Sequence, residues 1–158
     1  MRVVKKHDER RNEILDAAEK LFAGKGYMKT TIMDILQEVG IAKGTFYYYF
    51  KSKEEVMDAV AMRYIDTGTE AVKKITEDKN LTALEKLTVL LTKDVTKSEN
   101  KDEILKEFHQ AGDAEMHQRS LLMSIERLTP LITDIVLQGI KEGVFDTPYP
   151  REIVEYIL

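Results

Sequence analysis

The placement of proline and the spacing of apolar residues constrain the fold of this chain more than any other feature. All three prolines lie at or after position 130, and no stretch alternates apolar and polar residues at a period of two. Apolar residues instead recur at intervals of three and four, which places their side chains on one face of an α-helix. We therefore expect an all-α fold.

The first predicted helix ends near the segment AGKGY, whose two glycines are typical of a helix C-terminus. Before that segment, apolar residues follow the i, i+3, i+4, i+7, i+8 spacing of a helix that packs on a core. These residues are Ile14, Ala17, Ala18, Leu21 and Phe22.

Capping signals bound the next helices. Thr31 and Asp34 have the spacing of a capping box, so a second helix should start there and end at Gly40. The segment AKGTFYYYF should form a third, short helix, and Ser52 with Glu55 repeats the capping-box spacing at the start of a fourth. Two short helices joined by EVGIAKG fit the helix-turn-helix motif, whose second helix lies in the DNA major groove.

The third helix holds five aromatic residues within the segment GTFYYYF at 44–50. A helix packed on a core buries about one face. Phe46 and Phe50 are four residues apart, so we expect them to point inward with Tyr49 beside them. Tyr47 and Tyr48 are then turned outward. The alternative, that these two tyrosines also pack in the core, stays open.

The rest of the chain also has helical periodicity. A fourth helix should run to about the segment KKIT, and a fifth should start at Thr82 and Glu85. We expect a short helix around Phe108, then a long apolar helix over 116–142 that Pro130 kinks, and a last helix at REIVEYIL. The inner face of the fifth helix is expected to contain Leu84, Leu87, Leu91 and Val95.

Composition excludes several classes of protein. With 43% hydrophobic and 33% charged residues, the chain has the profile of a folded soluble domain rather than a disordered one. No apolar run approaches the roughly 20 residues of a membrane span, and the N-terminus lacks the apolar core of a signal peptide. Without cysteine the chain has no disulfide or thiolate metal site, so we expect a cytoplasmic protein with no membrane partner.

Charge is distributed unevenly along the chain. The net charge is −4, yet residues 1–53 carry 11 Lys and Arg against 7 Asp and Glu, whereas residues 54–158 carry 13 against 21. A basic head on an acidic body is expected where only the head meets a polyanion. Chance variation of surface charge is an equally open alternative.

The run TTIMDILQEVGIAKGTFYYYFKSKEEVMDAV, after a helix that ends AAEKLFAGKGY, resembles the DNA-binding head of TetR-family transcriptional regulators. The resemblance covers roughly residues 8–60. It includes the glycine near the end of the first helix, the paired threonines, the turn glycine, the aromatic third helix and the KSKEE restart. It implies a helix-turn-helix DNA-binding domain over 1–53, with the motif at about 31–50, and a helical effector-binding and dimerisation domain over 54–158.

The resemblance assigns DNA contacts to residues of the second, third and fourth helices, and their chemistry agrees. Lysine can donate to guanine, and a threonine methyl can meet a thymine methyl. Tyrosine hydroxyls can donate to phosphate oxygens, and glycine allows a close backbone approach. As alternatives, Lys43 could be a solvated lysine, and Thr31 could be only a helix cap. The expected DNA-binding residues are Thr31, Ala42, Lys43, Gly44, Thr45, Tyr47, Tyr48 and Lys53.

In that family the C-terminal body is a helical bundle with a small-molecule pocket, and its last two helices form a dimer. The seven methionines would suit an adaptable pocket, but they suit an ordinary core equally well. His109, Asp113 and His117 have metal-ligand side chains at helical spacing, but the segment AGD should interrupt the helix, so we expect no metal site. The candidate ligand-binding residues are Tyr64, Phe108, His109, Met116, His117, Met123 and Glu126.

Members of the family usually extend further than this chain, which stops after EIVEYIL. We therefore expect either that the C-terminal dimerisation region is truncated or that the dimer uses a shortened interface.

These observations together predict a DNA-binding transcriptional regulator, namely a repressor that leaves a palindromic operator when a small molecule binds its C-terminal domain. They predict no catalytic residues, no cofactor and no metal. The alternative is a helical small-molecule binding or carrier protein whose head does not read DNA. An enzyme is a third alternative, although the sequence shows neither a nucleophile motif nor a glycine-rich phosphate loop.

Overall fold

The structure is a computed structural model that describes residues 7–92 and 114–158, without the side chains of residues 114–117. These residues form seven α-helices, and no β-strand occurs among them, so the predicted all-α class is confirmed. The predicted helix around Phe108 lies outside the described residues. The helices are α1 (His7–Lys25), α2 (Ile32–Val39), α3 (Lys43–Tyr49), α4 (Lys53–Glu77), α5 (Ala83–Thr92), α6 (Ala114–Lys141) and α7 (Pro150–Ile157).

The described chain divides into two compact units, and the division falls inside α4. Among the described residues, the first unit contains those up to Arg63 and residues 114–117 at the start of α6. The second begins at Tyr64 and includes α5, the part of α6 from Gln118 onward, and α7. The division of functional domains at residue 53 stays a prediction.

The core of the first unit is built by apolar side chains from α1 to α4. Of the stripe expected on α1, four members are buried and Leu21 is half-buried, while Leu15 is an additional core residue. Such burial contributes about 1.5–3 kcal/mol for each large side chain. The fully buried apolar residues described in this unit are Ile14, Leu15, Ala18, Phe22, Ile35, Phe46, Val56, Met57 and Val60.

Glycines end the first two helices, as predicted. Gly26 and Gly40 have φ angles of 88° and 71°, in the left-handed region that favours glycine. The Gly40 N–H donates to the carbonyl of Leu36 at 2.9 Å, and the Ile41 N–H donates to the same carbonyl at 3.1 Å. These bonds close the C-terminus of α2 and turn the chain toward α3.

The second unit is held together by a buried lysine as well as by apolar contacts. Lys86 of α5 is 3% exposed, and its Nζ donates to the Thr76 carbonyl at 2.6 Å and to Gln138 Oε1 at 2.7 Å. Gln138 Nε2 in turn donates to Glu142 Oε1 at 2.6 Å, and Glu142 Oε2 accepts from the Ala83 N–H at 2.9 Å. This network joins the end of α4, the start of α5 and the end of α6.

The predicted inner face of α5 is wrong. Leu84 and Leu91 are exposed and Leu87 is half-buried, while Val95 lies outside the described residues. The buried residues of this helix are Ala83 and Lys86. Prediction from a hydrophobic pattern assigns lysine to the surface. The burial of Lys86 is favourable only because its ammonium group has hydrogen-bond partners.

Two features of α6 bear on its packing. Pro130 lies inside the helix, which continues on both sides of it. Near the C-terminus, the ring of Phe145 packs so closely on Gly139 that a Cβ at this position would lie 2.0 Å from a ring carbon. None of the helices in the two described ranges is both long and apolar enough to cross a bilayer.

Candidate nucleic-acid interface

The first turn of α2 is closed by the predicted capping box. The Asp34 N–H donates to Thr31 Oγ1 at 3.2 Å, and the Thr31 N–H donates to Asp34 Oδ2 at 2.7 Å. Thr31 Oγ1 also lies 2.6 Å from Asp34 Oδ2, which accepts its proton. Thr31 caps the helix, and because it is exposed it also remains accessible to a partner.

Asp34 is also paired with a cation of α1. Lys25 Nζ lies 2.6 Å from Asp34 Oδ2. Hydrogen bonds from Lys25 and then from Thr31 hold the pKa of the Asp34 carboxyl well below its usual range. The carboxylate therefore stays charged into the acid range, and it holds the end of α1 to the start of α2.

The aromatic rings of α3 divide between core and surface as predicted. Phe46 and Phe50 are 0% and 2% exposed, whereas Tyr47 and Tyr48 are 45% and 72% exposed. Tyr49 is half-buried. The phenylalanines anchor the helix, and the two phenols are left on its outer side.

The first turn of α3 presents small and basic groups beside these phenols. Ala42, Lys43 and Gly44 are exposed, and Thr45 is half-buried. Lys43 Nζ lies 5.8 Å from the centre of the Tyr47 ring. A Cβ added at Gly44 would meet no atom of the protein within 4 Å, so internal packing does not require glycine at this position.

His7 is a neighbour of α3 that the sequence analysis missed. Its ring centre lies 4.8 Å from that of Tyr49 and 5.7 Å from that of Tyr48. The contact joins the start of α1 to residues more than 40 positions later, and no local pattern indicates it.

Lys53 occupies a different environment from the one expected of a phosphate ligand. It is half-buried, and its Nζ donates to the carbonyls of Tyr27 and Thr30 at 2.9 and 3.0 Å. The same nitrogen lies 4.1 Å from the centre of the Tyr27 ring. The structure therefore places this ammonium against the loop between α1 and α2.

The structure places few of the expected ligand-binding residues. Tyr64 on α4 and Met123 on α6 are half-buried, and Glu126 on α6 is exposed. Met116 and His117 belong to α6, but their side chains lie outside the described part. Phe108, His109 and Asp113 are also outside it. Within the described ranges, no three His, Cys, Asp or Glu side chains form a group that could hold a metal ion.

Two family models match the chain. The model described as bacterial regulatory proteins, tetR family, matches residues 14–60, and the model described as tetracyclin repressor-like, C-terminal domain, matches residues 93–158. Together they cover more than half of the sequence, and both come from one family. The chain belongs to the TetR family. The TetR assignment groups it with regulatory proteins rather than with enzymes, as predicted.

Two curated relatives match part of this chain. The HTH-type transcriptional regulator YerO of Bacillus subtilis is 41% identical over 71 residues, which span 45% of this chain and 25% of the relative. The HTH-type transcriptional repressor KstR2 of Mycolicibacterium smegmatis is 38% identical over 81 residues, which span 51% of this chain and 39% of the relative. The chain thus matches less than half the length of either protein.

A solved structure matches almost the whole chain. It is described as a TetR-family transcriptional regulator from Syntrophomonas wolfei, is 28% identical and has a TM-score of 0.67. The match covers 96% of this chain and 79% of that one. The two-part helical fold is therefore that of TetR regulators.

Proposed function

We propose that this TetR-family chain is a DNA-binding transcriptional repressor whose α3 enters the major groove of an operator. The observation that carries the proposal is the division of rings on α3. Phe46 and Phe50 are buried, while Tyr47 and Tyr48 are exposed on the same seven-residue helix and its C-terminal end. An outward pair of phenols beside a basic first turn suits contact with bases and phosphates.

The proposed contacts come from three places in the first unit. Lys43 and Thr45 are placed to reach base edges, with Ala42 and Gly44 allowing close approach. Tyr47 and Tyr48 would donate to phosphates or pack on thymine methyls. At the start of α2, the Thr31 side chain and nearby backbone N–H groups would face a phosphate. The excess of Lys and Arg over Asp and Glu in residues 1–53 supports this choice of surface.

Repression, rather than activation, is supported by the relatives named as repressors, such as KstR2. We propose that two copies bind a palindromic operator as a homodimer. Two recognition helices about 34–36 Å apart would then read successive major grooves. Such a repressor would act in the cytoplasm, where bacterial DNA lies.

Release by a small molecule is the proposed regulation. α4 begins in the first unit and ends in the second, so it connects the proposed DNA-binding and effector-binding parts along the chain. Tyr64 of α4 and Met123 of α6 are half-buried candidates for the effector pocket, with Glu126 nearby in sequence. An effector that favours one state by about 1–3 kcal/mol would change operator affinity by about 5–150-fold.

Salt-dependent binding to promoter fragments tests the proposal. A repressor should bind one palindromic fragment far more tightly than a scrambled fragment of equal length and composition. Its log affinity should fall linearly with log salt, with a slope of about −0.9 for each phosphate contact. Equal, weak binding to both fragments would reject the proposal and favour the carrier alternative.

A further inference from the structure

Lys53 is the first residue of α4, and its ammonium group contacts the loop between α1 and α2. An ammonium has three N–H donors. Two of them meet the carbonyls of Tyr27 and Thr30 at 2.9 and 3.0 Å, and the group lies 4.1 Å from the centre of the Tyr27 ring. Hydrogen bonds and the contact with an aromatic face both stabilise the ammonium group in this position. To reach a phosphate, the side chain would have to give up these partners.

The two carbonyls belong to the loop that leads directly into α2. Thr30 is 1% exposed, and its Oγ1 donates to the Gly26 carbonyl at 2.8 Å, so the loop backbone is held from inside as well. The next residue, Thr31, is the N-cap of α2 and a proposed phosphate contact. Lys53 thus bonds to the backbone immediately before the N-cap.

A second bond joins the same two segments. The Tyr27 hydroxyl donates to Glu54 Oε1 at 3.2 Å, and the Tyr27 ring packs edge-on against Phe22, with ring centres 5.2 Å apart. Consecutive residues at the start of α4 are therefore bonded to the loop before α2. We call Lys53, Glu54, Tyr27 and Thr30 the loop latch.

We propose that Lys53 is a positioning residue, which acts through the loop latch to set where the N-terminus of α2 meets DNA, and that it is not itself a phosphate ligand. The start of α4 and the N-cap of α2 then move as one body. A displacement of α4 caused by an effector shifts Thr31 together with α3, so two DNA-contacting elements lose register at once. This inference rests on the proposed operator binding.

The test compares Lys53→Met with Lys51→Met. Methionine keeps most of the length of the side chain but removes the donors and the charge. Lys51 is exposed and two residues away, so its variant measures the effect of losing one charge in the same region. Both variants are assayed for melting temperature, for operator affinity over a range of salt concentrations well below that temperature, and for the amide resonances of Thr31 and Asp34 without DNA.

The expected result is specific to Lys53→Met. Its melting temperature falls by several degrees, the Thr31 and Asp34 amide resonances shift, and operator affinity falls about tenfold. The salt slope changes no more than in Lys51→Met, because no phosphate contact is removed. Lys53→Arg, which retains a cation able to donate to both carbonyls, should recover part of the affinity.

Two results would overturn the proposal. If Lys53→Met lowers the salt slope by about 0.9 per head beyond the control, with unchanged melting temperature and amide shifts, Lys53 is a phosphate ligand. If stability falls but operator affinity does not, the latch is structural only. Should the unaltered protein bind no operator, the proposed function fails, whereas the melting temperature and amide shifts still decide whether Lys53 positions Thr31.

Discussion

Tyr47 lies on the outer side of α3, where its loss can be separated from loss of folding. Tyr47→Ala should change the free energy of unfolding by no more than about 1 kcal/mol, because the side chain is 45% exposed and does not belong to the core. Operator binding should weaken by about 1–3 kcal/mol, the range of a direct DNA contact. Thermal unfolding and operator titration measure the two effects.

Two variants act as controls for Tyr47. Tyr47→Phe removes only the hydroxyl, so it shows how much of the effect comes from a hydrogen bond. Phe46→Ala, at a fully buried ring, should instead cost about 3–5 kcal/mol of stability. A large loss of stability in Tyr47→Ala would contradict the assignment of the two faces of α3.

Gly44 offers a test in which stability and binding should move in opposite directions. The protein leaves open space around this glycine, so alanine should fit and raise helix stability by up to about 1 kcal/mol. The added methyl group should hinder a closely approaching DNA backbone and weaken operator binding. Gly24→Ala in α1 is the matched control, since it has the same open space but is not a proposed contact. Unchanged operator affinity in Gly44→Ala would argue against close approach.

Asp34 should make the stability of the first unit depend on acid pH. Its pKa is lowered in the folded state, so its contribution to stability is complete above the unfolded pKa of about 3.9. The contribution is lost as pH falls from there toward the folded pKa. The difference in melting temperature between the unaltered protein and Asp34→Asn should therefore be large at neutral pH and shrink below about pH 4. A difference that stays constant into the acid range would contradict this role.

At the scale of elements, the end of α6 depends on the close contact between Gly139 and Phe145. Gly139→Ala should destabilise the second unit by about 1–3 kcal/mol, because the new methyl group would overlap the ring. Chemical denaturation would measure the loss. Phe145→Ala removes the ring and with it the overlap. In a protein that already carries Phe145→Ala, Gly139→Ala should therefore cost little stability. Equal costs in both backgrounds would show that the ring is not the cause.

The individual elements also show where sequence patterns succeed. The starts of α2 and α5 were predicted from Thr31 with Asp34 and from Thr82 with Glu85, and both pairs form reciprocal bonds. A capping box involves residues three positions apart, so its geometry is local. The buried face of α5 was not predicted, because it depends on Lys86 finding partners on α4 and α6.

At the scale of the whole molecule, the proposed homodimer should depend on the exposed apolar residues of α7. Tyr156 and Ile157 are 92% and 74% exposed. The double variant Tyr156→Asp/Ile157→Asp should raise the dimer dissociation constant more than about tenfold, because charged groups are unfavourable in the core of an interface. Sedimentation velocity over a range of concentrations measures this change. Leu84→Asp, at an exposed leucine of α5, should leave the dimer intact.

The sequence alone determined the all-α class, the end of α1, both ends of α2 and the two faces of α3. Caps, left-handed glycines and a period of about 3.6 residues act between near neighbours, so they can be interpreted without coordinates. Tertiary structure alone decided the partners of Lys53 and Lys86, and the packing of His7 on the tyrosines of α3. These contacts join side chains to groups 26, 52 or more than 40 positions away, and only the packing of whole helices brings them together.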